Sequence, residues 1–390
     1  MSNRKYRISN QFLHYILSPI IFLVFSFFSY NIFIQNFVFI EIQDFFNISK
    51  KLLPLSNIPM FLGIIIGIFF SNNKIFNRKS FVLFISFSVL INILIFFLKN
   101  FYVFLFIRFL SSVGLGLLIS YILKYYYIYV KMYSLNNITI IKSGIPFGIV
   151  IAAIFTVFFV QNLGWKSAFL FLLAGFFTLI SLNFLLQYLY IEKNTSIKFS
   201  KVNKVHLLML SALFFIIGIN FFILIANAKF ILISKKFDYN SINLYMIIIS
   251  IFILFGDMIS EYLLKIFNKK NLLLYLNLLA IFISISILST FSEYLIVFFI
   301  SLNLLIQTIL WNITLIYVLD FFETNIFYFL IKLILIITFL GGICSSIFSY
   351  FLYENLYKNI PLIIIIMSFI FIGILLILSK YNNRNYHFME

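Results

Sequence analysis

The sequence predicts an all-α integral membrane protein: twelve transmembrane helices arranged as two pseudo-symmetric six-helix bundles. Three observations carry this prediction. The first is composition, since 64% of the 390 residues are hydrophobic and only 10% are charged, with a mean hydropathy of +1.12. A soluble core of ordinary size cannot hide that much apolar surface. The second is the division of the chain into apolar stretches of membrane length. The third is a phrase that occurs twice. Lys74-Ile75-Phe76-Asn77-Arg78-Lys79 returns as Lys265-Ile266-Phe267-Asn268-Lys269-Lys270, 191 residues later, each time after an apolar span. Gln161-Asn162-Leu163 is echoed by Glu354-Asn355-Leu356 and Gly148 by Gly341, both at a shift of 193. Two echoes at nearly equal offsets point to a duplicated half.

The predicted spans of the first half are 14–38, 52–71, 80–98, 101–125, 138–160 and 166–190; those of the second are 205–233, 241–264, 271–290, 294–319, 326–352 and 360–379. The polar run from Glu192 to Lys204 separates them. The organisation expected is therefore an N-terminal bundle over 1–190, a cytoplasmic linker over 191–204 and a C-terminal bundle over 205–390. No small-residue cleavage pattern follows the first span, which is expected to be a retained helix rather than a signal peptide.

The net charge of +17 would suggest nucleic acid in a soluble protein, but the basic residues fall mainly between spans. Topology explains them. Arg4, Lys5 and Arg7, then Lys74, Arg78 and Lys79, the linker lysines, Lys265, Lys269 and Lys270, and finally Lys380 and Arg384 all lie on one side. The bias of Lys and Arg toward cytoplasmic loops makes that side, and both termini, cytoplasmic. Glu41, Asp44, Asp238, Glu293 and Glu354 lie on the other side; Lys50, Lys51, Lys235 and Lys236 run against the rule. The skewed composition suggests an AT-rich bacterium and hence its inner membrane. The single cysteine, Cys344, leaves no disulfide framework and no thiolate metal cluster.

Three motifs resemble those of the major facilitator superfamily (MFS). Arg108-Phe109-Leu110-Ser111-Ser112-Val113-Gly114-Leu115-Gly116 is similar to the family's fourth-helix pattern, with Ser112 where a glycine is usual. Gly144-Ile145-Pro146-Phe147-Gly148, followed by Gly164-Trp165-Lys166-Ser167-Ala168-Phe169, resembles its fifth helix and its Gly-Trp-Arg-x-x-Phe entry to helix six. The repeated phrase stands where the family keeps a Gly-x-x-x-Asp-Arg-x-Gly-Arg-Arg loop, with Lys74 and Lys265 at the aspartate position and Gly67 and Gly256 nearby. The resemblance implies a secondary active transporter, symporter or antiporter, working by alternating access, with helices one, four, seven and ten lining the pathway.

The residues themselves name the candidates. An arginine inside a span costs about 2.5–3.5 kcal/mol on insertion scales, so Arg108 should face a cavity or a partner rather than lipid. The second half reads Phe299-Ile300-Ser301 at the matching place. Asn303, Gln307, Trp311 and Thr314 fall within about 80° of a helical wheel and are expected to line a hydrated cavity, with Thr308 and Asn312 on another face. Ser26, Ser29 and Tyr30 form a weaker stripe, and Asn220 and Asn227 share a face. Substrate-pathway candidates are therefore Arg108, Ser112, Tyr30, Asn220, Asn303, Gln307 and Trp311. Asp257, with Glu261 one turn later, is the carboxylate placed inside a span, and with Arg78 and Lys269 it is the candidate for coupling or gating. Lys332 is expected to snorkel to the interface.

No cofactor, metal or nucleotide motif is expected, and the protein should act as a monomer on a small-molecule solute within the bilayer, without nucleic acid. The solute is expected to be anionic or zwitterionic. The fifth-span motif keeps a drug- or siderophore-like exporter as the alternative. A membrane transferase using Glu41 and Asp44, or a non-transporting scaffold, is the reading from a different class.

Overall fold

The computed structural model describes residues 10–71, 78–132, 143–170, 204–290, 292–319 and 327–386, and these are helices joined by short turns, with no strand among them. In chain order the helices are α1 (Asn10–Phe37), α2 (Phe39–Phe46), α3 (Asn57–Phe70), α4 (Arg78–Leu90) and α5 (Phe101–Met132). Next come α6 (Gly144–Phe155), α7 (Ser167–Leu170), α8 (Lys204–Ser234), α9 (Tyr239–Ile266) and α10 (Lys269–Ser289). The last three are α11 (Glu293–Leu319), α12 (Phe327–Phe351) and α13 (Leu356–Tyr386). Among the described residues nine helices are long and apolar enough to cross a membrane, with Phe84–Phe97 and Gly144–Val160 as shorter apolar helices. Eleven of the twelve predicted spans thus have their helix. The sixth predicted span is described only through Leu170, and the linker lies outside the described residues.

Local chemistry sets several helix ends. α4 tightens into a 3₁₀ run over Ile91–Phe97, and α6 loosens into a π turn over Thr156–Val160, where the Thr156 hydroxyl donates to the Ala152 carbonyl at 2.9 Å. Of the repeated phrase, residues 74–77 lie outside the described residues. In the second copy Asn268 caps α10, its side-chain oxygen accepting from the Lys270 N–H at 3.0 Å. A distortion at Val38 (φ −106°, ψ 20°) separates α1 from α2, although the Val38 N–H still donates to the Ile34 carbonyl and the Ile42 N–H to the Val38 carbonyl.

Packing repeats between the halves. α3 crosses α5 where Gly67 abuts Val113 and Gly116, and α9 crosses α11 where Gly256 abuts Leu305 and Thr308. α1 meets α6 where Gly148 abuts Ser26 and Ser29, and α8 meets α12 where Gly341 abuts Phe215 and Ile219. Without side chains at these four positions, backbones approach closely enough for van der Waals packing, which is the main source of helix association in lipid. The contacts between halves are themselves exchanged by the same symmetry: α3 packs on α12 and α6 packs on α9. Phe69, Phe282 and Phe369 are among many large apolar side chains left on the outer surface, as a protein solvated by acyl chains requires.

Candidate solute pathway

The deepest charge in the first half is Arg108, which has no exposed surface. α5 carries it toward α1, where Asn31 and Gln35, one turn apart and hence on one face, receive it. Nε donates to Gln35 Oε1 at 3.0 Å, Nη1 to Asn31 Oδ1 at 2.7 Å and Nη2 to the Asn31 carbonyl at 2.6 Å. Met60 Sδ of α3 lies 3.2 Å from Nη2, and the Phe169 ring of α7 faces the guanidinium at 5.2 Å. Gln35 is oriented in turn, since its Nε2 donates to Ser56 Oγ at 2.7 Å. Every acceptor is neutral, and no carboxylate bonds to Arg108 among the described residues. The charge is therefore solvated by dipoles but not cancelled.

The Gly164-to-Phe169 motif builds one wall of this cage. Gly164 takes a positive φ of 78°, which favours glycine, and lets the chain turn into α7. Trp165 is buried against Phe45, Phe46, Phe104 and Phe169. Lys166 donates to the Phe96 and Leu98 carbonyls at 2.9 and 3.2 Å, tying α7 to the end of the third span. Tyr30, buried, donates to the Ala168 carbonyl at 2.8 Å, so it positions the same wall. Ser112 is buried beside Gly63 in the α3–α5 crossing.

The second half uses a carboxylate instead. Asp257 of α9 is buried, and Asn312 of α11 donates to its Oδ1 at 2.7 Å and reaches Ser260 Oγ at 3.2 Å. Glu261 and Lys269 are half-buried near the same end of the bundle, and Lys265 is exposed. Arg78 opens α4; its side chain lies outside the described residues. On α11, Asn303 donates to Ser284 Oγ of α10 at 2.9 Å, and Gln307 donates to Asn303 Oδ1 at 3.3 Å. Trp311 is half-buried and meets Phe214 edge-on at 4.9 Å. Asn227 donates to Ser349 Oγ at 2.7 Å, whereas the buried Asn220 Oδ1 has no hydrogen-bond partner among the described residues. Arg108, Asn303, Gln307 and Thr314 have no exposed surface. In this conformation protein neighbours, rather than a hydrated cavity, surround all four.

The halves meet through aromatic rings and two lysines. Phe33 packs on Phe221 and Phe222, Phe61 on Phe222 and Phe339, and Phe28 on Phe339. At one end, Lys229 of α8 is buried and donates to the Phe37 carbonyl at 2.7 Å and to Glu41 at 3.4 Å. At the other, Lys332 donates to Ser71 Oγ at 2.7 Å beneath the Tyr328 ring. This corrects the expectation that Lys332 snorkels, for a hydroxyl across the interface holds it in place. It also removes Glu41 from the role of a free loop carboxylate, because its partner is a buried ammonium of the other half. Sequence reasoning missed Lys229, Asn31 and Gln35. The i, i+4 amide pair facing a span that holds an arginine is the signal that could have found the last two.

This architecture has known counterparts. The profile of the Major Facilitator Superfamily matches residues 20–325, most of the chain, and the chain belongs to that family. It is an integral membrane transporter with the twelve-helix, two-bundle fold. A D-xylose-proton symporter superposes with a TM-score of 0.72 at 12% identity, covering 92% of this chain and 97% of the symporter. A bacterial homologue of the human lysosomal transporter Spinster, inward-facing and occupied, gives 0.69 at 14% identity with 96% and 98% covered. A bacterial homologue of the iron transporter ferroportin, outward-facing, gives 0.69 at 12% with 93% and 99% covered. These identities speak for the fold alone. No curated protein shows significant sequence similarity to the chain.

Proposed function

We propose that the chain is a secondary active transporter of a small organic solute bearing an acidic group, anionic or zwitterionic, carried by alternating access of the two bundles. The observation that supports this is the Arg108 cage: a fully buried guanidinium whose partners are two amide side chains, a backbone carbonyl and a thioether. A buried positive charge solvated only by neutral groups favours any anion that can reach it, because Coulomb attraction is strong where the dielectric is low. A carboxylate displacing Gln35 Oε1 or Asn31 Oδ1 would replace a neutral acceptor with an anionic one and form a short, charge-assisted hydrogen bond to the guanidinium. Tyr30 and Phe169 hold the cage, and Asn220, Ser112 and the Asn303–Gln307–Trp311 stripe complete the route when the bundles rock apart.

Asp257, with Asn312 on one oxygen, is the group we assign to coupling, because protonation would trade its acceptor role for a donor role inside the second bundle. Glu261, Lys269 and Arg78 flank that end as gating residues. The exporter reading rests on the glycines of α6, but the close approach of Gly144 and Gly148 to α1 backbone and side chains already explains why small residues stand there. The protein acts as a monomer in a bacterial inner membrane, with both termini cytoplasmic and the Glu41 end outward. Untargeted comparison of metabolites inside and outside cells, with and without the protein, tests the reading. Redistribution should be confined to compounds carrying a carboxylate or other acidic group, and redistribution of cations or neutral sugars alone would defeat it.

A further inference from the structure

We infer that Lys229, Glu41 and the Phe37 carbonyl form the latch that holds the two bundles together at the Glu41 end, and that releasing it is the step that opens this end to solute. The inference rests on the alternating-access reading but not on the identity of the solute.

The geometry is specific. Lys229 belongs to α8 and its side chain is 2% exposed, so its ammonium has left water entirely. The Phe37 carbonyl and the Glu41 carboxylate, which accept from it, both belong to the other bundle. Phe37 closes α1, and a helix C-terminus concentrates partial negative charge on its last carbonyls. Glu41 lies four residues on, in the first turn of α2. Its carboxylate, 18% exposed, offers both oxygens to Nζ at 3.4 and 3.5 Å. An ammonium is costly to bury without partners, and here these two acceptors are within reach only while the bundles touch. Separating them at this end strips Lys229 of both acceptors at once and returns it to water, so the contact is made or lost as a unit.

The surroundings fit a gate. Immediately beside the latch, Phe39 stacks on Phe230 across the interface at 6.0 Å, each ring within two residues of a latch side chain. Beyond it, between the same two bundles, lies a cavity of about 450 Å³ lined by Ile40, Gln43, Asp44 and Lys50 from one side and by Phe230, Ser234 and Tyr353 among others from the other. Ile40 and Phe230, which line it, are the chain neighbours of Glu41 and Lys229, so the cavity and the latch adjoin. At the opposite end the bundles are tied by Lys332 to the Ser71 hydroxyl and by Tyr328 to the Ser120 carbonyl.

The test uses reporters at both ends of the full-length protein in nanodiscs, where one reagent reaches both faces. In a Cys344→Ser background, single cysteines replace Phe230 and, separately, Ser71, and labelling by a polar maleimide is timed. Glu41→Gln and Lys229→Gln are each expected to raise labelling at position 230 by at least about fivefold, the lower end of ordinary coupling between sites, and to lower it at position 71. A rise at both positions would mean loosened structure rather than a released latch and would overturn the inference. Unchanged labelling at position 230 would overturn it as well. Transport by the wild-type protein that is lost in Arg108 variants, with these labelling rates unmoved, would leave the transport reading intact and remove only the latch.

Discussion

The third and fourth spans of the first half and their counterparts in the second carry the same bond with its ends exchanged. In one, Asn92 donates to Ser111 Oγ at 2.9 Å; in the other, Asn303 donates to Ser284 Oγ at 2.9 Å. Asn92 and Ser284 are 192 residues apart, as are Ser111 and Asn303. Arg108 and Asp257 behave otherwise. At the same shift Arg108 faces Ile300 and Asp257 faces Ile65, so neither charge has a charged counterpart. Polar glue between helices serves both halves alike and can swap sides without consequence. A charge inside a span is costly wherever it stands, and its presence in one half alone points to work that only one half does.

That contrast can be broken from the charged side first. Replacing Arg108 with Ala should lower uptake in proteoliposomes by at least about a hundredfold, more than the roughly ten- to hundredfold that loss of one binding hydrogen bond to a charged group brings. Arg108→Lys keeps the charge but not the planar fork that reaches Asn31 and Gln35 together, so it should recover only a small part. Asp257→Asn leaves the Asn312 bond possible through its amide oxygen; it should abolish concentrative uptake while sparing exchange of solute for solute. If exchange falls equally, Asp257 belongs to binding rather than to coupling.

The uncharged side sharpens the comparison through stability. Gly67 and Gly256 occupy equivalent crossings, but an added Cβ at Gly67 would press on the Val113 carbonyl and on Gly116, whereas at Gly256 its nearest neighbour, the Leu305 carbonyl, lies at 2.7 Å. Gly67→Ala should therefore cost more than Gly256→Ala, within the roughly 1–3 kcal/mol typical of overpacking, measured as thermal stability in detergent. The smallest effect is expected at the exchanged pair. Asn92→Ala and Asn303→Ala should each cost about 0.6–2 kcal/mol with transport kept. The double change Asn92→Ser with Ser111→Asn should return most of that loss, since the second half already uses the exchanged arrangement.

How far the sequence could be read depended on the physical signal. Apolar length predicted the spans well, because the hydrocarbon thickness imposes it; the expected 205–233 and 294–319 are close to α8 and α11. Arg108 was legible as a charge about two helical turns inside a span. Its partners were not, because Asn31 and Gln35 sit in a helix whose serines and Tyr30 offered a competing stripe, and only the crossing of α1 with α5 selects between those faces. Lys229 stands five residues from the end of its helix, where a lysine ordinarily reaches water. What holds it inside is the Phe37 carbonyl and Glu41 of the opposite bundle, and no local pattern announces that contact. The aromatic seam of Phe33, Phe61, Phe222 and Phe339 was hidden for a simpler reason, since with 56 phenylalanines composition marks no position as special.

Counterflow in proteoliposomes puts the buried guanidinium to the most direct trial. Vesicles holding the wild-type protein or the Arg108→Ala variant are preloaded with a panel of carboxylates, amino acids, amines and neutral sugars, and exchange of a labelled compound of each class is followed. Exchange should be confined to compounds with an acidic group and should vanish in the variant. Exchange of an amine or a sugar, or undiminished exchange by Arg108→Ala at equal reconstitution, would contradict the assignment of Arg108 as the anion-binding centre.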